Sequence, residues 1–145
     1  MIKVIVLGKL KEKYLGDLVD DYLKRINKYH KIELIEIKDE ENLESEAKNI
    51  MKYITKQDYV VTLEILGNSY TSEEFAKFIN QTFIYNGTIT FVIGSSTGLH
   101  DSIKNRSDMA ISFGKFTFPH GLFRGILLEQ IYRAFKINNN ESYHK

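Results

Sequence analysis

The 145 residues carry 20 Lys and Arg against 19 Asp and Glu, a formal net charge of +1, with 43% hydrophobic and 27% charged residues. These proportions belong to an ordinary soluble globular chain, long enough to bury a substantial core as one domain spanning 1–145. Having no cysteine excludes disulfides, thiol nucleophiles and Cys-ligated metals. No apolar run reaches the roughly 18 residues a membrane span needs, and a chain that gripped nucleic acid by charge alone would be far more basic. The N-terminus opens directly into Ile2–Leu7, too short and wrongly flanked for a signal peptide. A cytoplasmic protein is expected.

In chain order, residues 2–7 read as a buried strand. Tyr14, Leu15, Leu18, Val19, Tyr22, Leu23 and Ile26 then recur at helical spacing. Residues 31–37 alternate with period two, as a half-exposed strand does, and 41–56 read as a weaker helix. Residues 58–65 and 88–93 are two more apolar, β-branched strands. Between them Thr71-Ser-Glu-Glu74 has the spacing of a capping box, with Phe75, Phe78, Ile79 and Phe83 following on one face. Residues 109–113 form a short fifth strand and 119–136 the last and most apolar helix. Its start holds the single proline, Pro119, expected in the first helical turn, where the missing N–H costs little.

Alternating strands and helices predict an α/β fold, a mostly parallel sheet with helices on both faces. In such sheets ligands bind beyond the carboxyl ends of the strands, and Gly8, Gly67, Gly94 and Gly114 are each expected just after a strand. Three loops are expected to converge there, 62–67, 93–99 and 113–118. No G-x-G-x-x-G follows the first strand and no G-x-x-x-x-G-K-[ST] occurs, which argues against the common dinucleotide and ATP sites. The histidines His30, His100, His120 and His144 lack metal-ligand spacing, so no metal is expected. No G-x-S-x-G elbow supports a serine nucleophile. The last helix is apolar around an arc wider than one core-facing stripe requires, so a homodimer is expected, with burial on two sides of a single chain as the alternative.

Several motifs together carry a family resemblance. They are Gly8-Lys-Leu-Lys-Glu-Lys-Tyr14, Thr62-Leu-Glu-Ile65, Phe91-Val-Ile-Gly-Ser-Ser-Thr-Gly-Leu-His100, Ser112 through His120, Glu129-Gln-Ile-Tyr-Arg-Ala-Phe-Lys136 and the terminal Tyr143-His-Lys. In this order, nearly end to end, they resemble the RlmH-type ribosomal RNA methyltransferases of the SPOUT superfamily. The resemblance implies a C-terminal trefoil knot, a homodimer, and S-adenosyl-L-methionine held bent by the three loops. It implies methylation of N3 of a pseudouridine in 23S rRNA within the assembled ribosome. Carried onto this chain, Leu63 lines the cofactor pocket and Gly94 contacts it by backbone. Phe113, Gly114, Lys115, Phe116, Thr117 and Phe118 wrap it.

Methyl transfer to an imide-like nitrogen requires loss of its proton, and a histidine is a fitting acceptor. His144 is the expected base, with Tyr143 and Arg133 as its partners and the tail supplied by either subunit. A frayed terminus over 137–145 is the plain alternative. Two departures stand out: Ser95 replaces a glycine usual in these relatives, and the stretch between the second and third strands is about a dozen residues shorter. A non-catalytic RNA-binding relative is therefore the second reading. A flavodoxin-like nucleotide domain ranks last, because the loop after the first strand lacks a hydroxyl-rich phosphate-binding pattern.

Overall fold

Strands without a polar face take the middle of the sheet. In the computed structural model, which describes residues 1–145, β1 (Ile2–Leu7), β2 (Ile32–Ile37), β3 (Tyr59–Ser69), β4 (Ile89–Ile93) and β5 (Met109–Ser112) form one sheet ordered β2-β1-β4-β3-β5. Every pairing is parallel. The fully buried β4 lies at the centre, and the alternating β2 lies at an edge. Register is fixed by apolar partners, Ile2 facing Ile32 on one side and Ile89 on the other.

The pleat sends successive side chains to opposite faces. Ile2, Val4 and Val6 pack in one core cluster with residues of α1 (Lys13–Asn27), α3 (Ser72–Tyr85) and α5 (His120–Asn138). Ile5 and Leu7 pack in the other with α2 (Leu43–Met51) and α4 (Asp101–Arg106). Helices therefore cover both faces, as the alternating pattern predicts. The capping box of α3 is present: Glu74 N–H donates to Thr71 Oγ1 at 3.1 Å, and Thr71 N–H to Glu74 Oε1 at 2.8 Å.

Three local readings need correction. Pro119 is the N-cap of α5, with an extended ψ of 135°, rather than a residue of its first turn. The helix between β2 and β3 is shorter than 41–56, starting where Asn42 Oδ1 accepts from Ser45 N–H. Gly67 lies inside β3, not after it. Leu63 and Asn68 both pair with Ile111, so 64–67 bulge out between two stretches that share one partner strand. A Cβ on Gly67 would lie 2.7 Å from the Ala110 carbonyl carbon, so the bulge requires glycine there.

The wide apolar arc of α5 finds its partners within the chain. The helix packs against both α1 and α3, burying Leu127, Leu128, Ile131, Tyr132, Ala134 and Phe135. Leu122, Phe123 and Ile126 remain half-buried. Gly125 brings α5 close to α1, its backbone meeting Leu18, which offsets the poor helix propensity of glycine.

Candidate active site

The bulge inside β3 converges with the segments that follow β4 and β5. After β4, the chain turns through Gly94–Gly98, closed by Gly98 N–H donating to Ser95 O at 2.9 Å. Gly98 has φ +88°, and a Cβ on Gly94 would lie 2.6 Å from the Gly98 carbonyl oxygen. Two backbone segments thus touch where no side chain fits. Ser95 turns its hydroxyl to Thr97 Oγ1, 3.0 Å away. After β5, Gly114 N–H donates to Ser112 Oγ at 3.1 Å, which starts the 113–118 loop. Phe123 of α5 then anchors that loop, stacked on Phe118 at 5.8 Å and edge-on to Phe113 at 5.3 Å.

Two adjoining chambers result. The first, about 140 Å³, is walled by Phe113, Phe116, Phe118 and Phe123, with Leu63, Gly114 and Thr117. The second, about 360 Å³, lies between the bulge of β3 and the Gly94–Gly98 turn and is bounded also by Lys104 and His120. Leu63, Glu64, Ile65, Thr117 and Phe123 border both. Of the expected cofactor residues, only Lys115 borders neither and is exposed. The rim is apolar and open: Ile65 is 57%, Leu66 98% and Phe116 85% exposed.

α5 holds the back of the second chamber by a clasp. His120 Nε2–H donates to the Leu7 carbonyl at 2.8 Å. One turn on, Arg124 is 1% exposed. Its Nη2 reaches the Leu7 and Gly8 carbonyls at 3.3 Å, and its Nη1 reaches Glu36 at 3.0 Å. Burial pulls the guanidinium below its ordinary pKa, and the Glu36 carboxylate opposes that. Sequence periodicity gives no sign of this, since arginine on a helix ordinarily faces water.

The tail is tied down rather than frayed. Tyr143 packs edge-on to Tyr132 at 5.0 Å, and its hydroxyl donates to Glu129 Oε1 at 3.1 Å. Burial and the Glu129 charge push the Tyr143 phenol up to about 12. Arg133 donates to Glu129 through Nε and Nη2, which raises its already high pKa, and it lies 4.8 Å over the Tyr143 ring. Its Nη1–H donates to His144 Nδ1 at 3.0 Å, so His144 Nε2–H donates to Glu73 Oε1 at 2.5 Å. Arg133, Tyr143 and His144 thus form one cluster. They border neither chamber. The link between cluster and loops is Gln130, missed by sequence reading. It donates to Glu129, accepts from Ser72 Oγ at 2.7 Å, and lines a third, polar cavity with Ser112, Phe113 and Gly114.

No group of three His, Cys, Asp or Glu side chains is placed to hold a metal ion, and no helix is long and apolar enough to cross a membrane.

Comparison with known proteins agrees with this architecture. The model of a family described as predicted SPOUT methyltransferase matches residues 1–144. Ribosomal RNA large subunit methyltransferase H of Streptococcus pneumoniae is 45% identical, with 99% of each chain covered. A Methanococcus maripaludis protein that carries the same name provisionally is 49% identical, again over 99% of each. Both alignments run over 157 positions against the 145 residues here, in keeping with a shortened segment. Among solved structures, a probable methylase family protein from Haemophilus influenzae superposes with TM-score 0.58 at 14% identity, over 99% of this chain and 70% of that one. The SpoU methyltransferase AviRb of Streptomyces viridochromogenes, solved with the cofactor AdoMet, gives 0.50 at 8% identity, over 95% and 60%. With its parallel sheet, its three converging loops and full-length relatives at this identity, the chain belongs to the SPOUT methyltransferase family, in the group of the ribosomal RNA large subunit methyltransferase H proteins.

Proposed function

We propose that the chain, acting as one domain over 1–145, is a cytoplasmic methyltransferase that uses S-adenosyl-L-methionine to methylate N3 of a pseudouridine in 23S rRNA of the assembled ribosome. The observation that carries this reading is the meeting of Leu63, the Gly94–Gly98 turn and the 113–118 loop around two joined chambers. Their chemistry fits the cofactor. Phenyl walls suit an adenine ring and the apolar stem of a methionine, and the glycine turn leaves main chain bare for polar contacts. The AdoMet-bound AviRb shares the fold. The rRNA substrate rests on the names of the relatives.

When bound, S-adenosyl-L-methionine supplies an electrophilic methyl group, so the protein has chiefly to orient two reactants and remove one proton. Phe113, Phe118 and Phe123 supply an apolar wall beside the transfer. His144 takes the N3 proton. Its lone-pair nitrogen, Nδ1, is occupied by Arg133 here, so a substrate must displace that bond, while Tyr143 and Arg133 stay protonated as donors.

Because the cluster borders neither chamber of its own chain, we place it at the site of a second subunit in a homodimer. The exposed Ile65, Leu66 and Phe116 supply apolar surface beside the loops. Threading of α5 into a knot belongs to the same family-based reading.

Calorimetric titration with S-adenosyl-L-methionine, followed by methyl transfer to ribosomes lacking the modification, tests the reading, with saturable binding and turnover expected. His144→Ala should keep cofactor binding and lose most turnover. Mixing it with Gly94→Ala chains should restore part of the activity if tails cross between subunits. The non-catalytic alternative rested on Ser95, whose side chain is taken up within its own turn by Thr97. Nothing in the site favours it.

A further inference from the structure

Glu64 is the one charged side chain among the residues that wall the phenyl chamber, and it borders the second chamber as well. The β3 bulge puts it there. In a regular strand paired to β5, residue 64 would continue the ladder, but here pairing stops at Leu63 and resumes at Asn68 against the same Ile111. Bulges of this kind commonly re-aim a side chain beside a site.

The carboxylate is held but not neutralised. Thr62, fully buried, donates its hydroxyl to Glu64 Oε2 at 2.6 Å and lies 2.9 Å from Ser107 Oγ. The other oxygen, Oε1, has only Lys104 Nζ at 3.9 Å, and the Lys104 side chain is half exposed. A loose, solvated pair of this geometry contributes little. A carboxylate set in an apolar wall is costly unless a cation meets it. The phenyl faces beside it also attract cations, particularly weakly hydrated ones.

We propose that Glu64 is the counter-charge for the sulfonium of the methyl donor, so that the site prefers the cationic donor to its neutral demethylated product. The inference rests on the cofactor reading above. It gives the chain a means of releasing product, since the charge that Glu64 holds is absent once the methyl group has gone. The α-amino and carboxylate groups are common to donor and product, so the ratio of the two affinities isolates the sulfonium contact.

The test is calorimetric titration of the wild-type protein, Glu64→Gln and Lys104→Met with S-adenosyl-L-methionine and with S-adenosyl-L-homocysteine. Glu64→Gln keeps an acceptor for Thr62 and is expected to weaken donor binding about tenfold while leaving product binding nearly unchanged. Lys104→Met removes the competing cation and is expected to raise the donor-to-product preference. Equal losses for both ligands in Glu64→Gln would mean that Glu64 grips a part they share, which overturns the inference and leaves the cofactor reading standing. A Lys104→Met preference that falls would overturn it too. Wild-type protein that binds neither ligand would instead overturn the cofactor reading, and this inference with it.

Discussion

At the scale of single residues, the glycine turn gives the sharpest expectation. A methyl group on Gly94 must displace a carbonyl oxygen 2.6 Å away and the Leu99 side chain at 2.9 Å. Backbone cannot swing aside as a long side chain can. Gly94→Ala should therefore cost about 1–3 kcal/mol in denaturant titration and weaken cofactor binding by on the order of tenfold. His30 gives a second expectation, far from the site. It stacks among Phe83 and Phe135 with the Met1 ammonium 2.6 Å from its Nε2, and burial followed by that charge holds its pKa below 6.5. The unfolded chain therefore takes up the proton first. Stability is fully present above the unfolded value and is lost as pH falls from there toward the depressed folded value. Unfolding free energy measured at about pH 7.5 should exceed that at about pH 5.5, with the difference reduced in His30→Gln.

Elements show what periodicity can and cannot reveal. β1 and β4 were legible because strands buried on both faces are nearly continuous apolar runs, broken only by Lys3 and Thr90, and α3 because its capping box is local chemistry. The second half of β3 was not legible. Its course depends on Gly67 lying against the Ala110 and Ile111 backbone, a contact across more than forty residues that leaves no period in the sequence. The site divides the same way. Two of its loops were legible from Gly94 and Gly114 following strands, while the 62–67 segment proved to be the bulge inside β3, and Arg133, Tyr143 and His144 came from family motifs. Glu64, Gln130 and Arg124 were missed because a charged or amide side chain on a strand or helix reads as a solvated one. Arg124 carries a testable consequence. Its Nε has no partner, while its other nitrogens satisfy Glu36 and two carbonyls at the end of β1. Glu36 can return to water, so Arg124→Met should cost about 1–3 kcal/mol rather than the larger penalty of stranding a buried charge. Hydrogen exchange should show the loosening concentrated at the start of α5.

For the whole molecule, charge balance sets how the substrate can be held. With a net charge of +1 and lysines such as Lys13 already paired with Asp17 at 2.9 Å, phosphate contacts alone give weak, salt-sensitive attachment. On the proposed reading, recognition adds shape, which the assembled particle supplies more fully than a stem-loop does. Methyl transfer to intact ribosomes lacking the modification should exceed transfer to a bare stem-loop of the same sequence by at least about tenfold at 0.15 M salt. Equal rates on the two substrates would refute the argument from charge.

The clasp of α5 on the end of β1 also sets an order in time. His120 and Arg124 close on carbonyls made 113 and 117 residues earlier. At about 5–20 residues per second, those carbonyls wait on the order of 6 to 20 seconds during synthesis for the groups that satisfy them. Phe123, which anchors the phenyl wall, emerges between the two. A growing chain thus has neither the clasp nor the chamber until its last helix appears. The chamber is completed in one step with that helix, and a fragment stopped before it should bind no cofactor however well its five strands have paired.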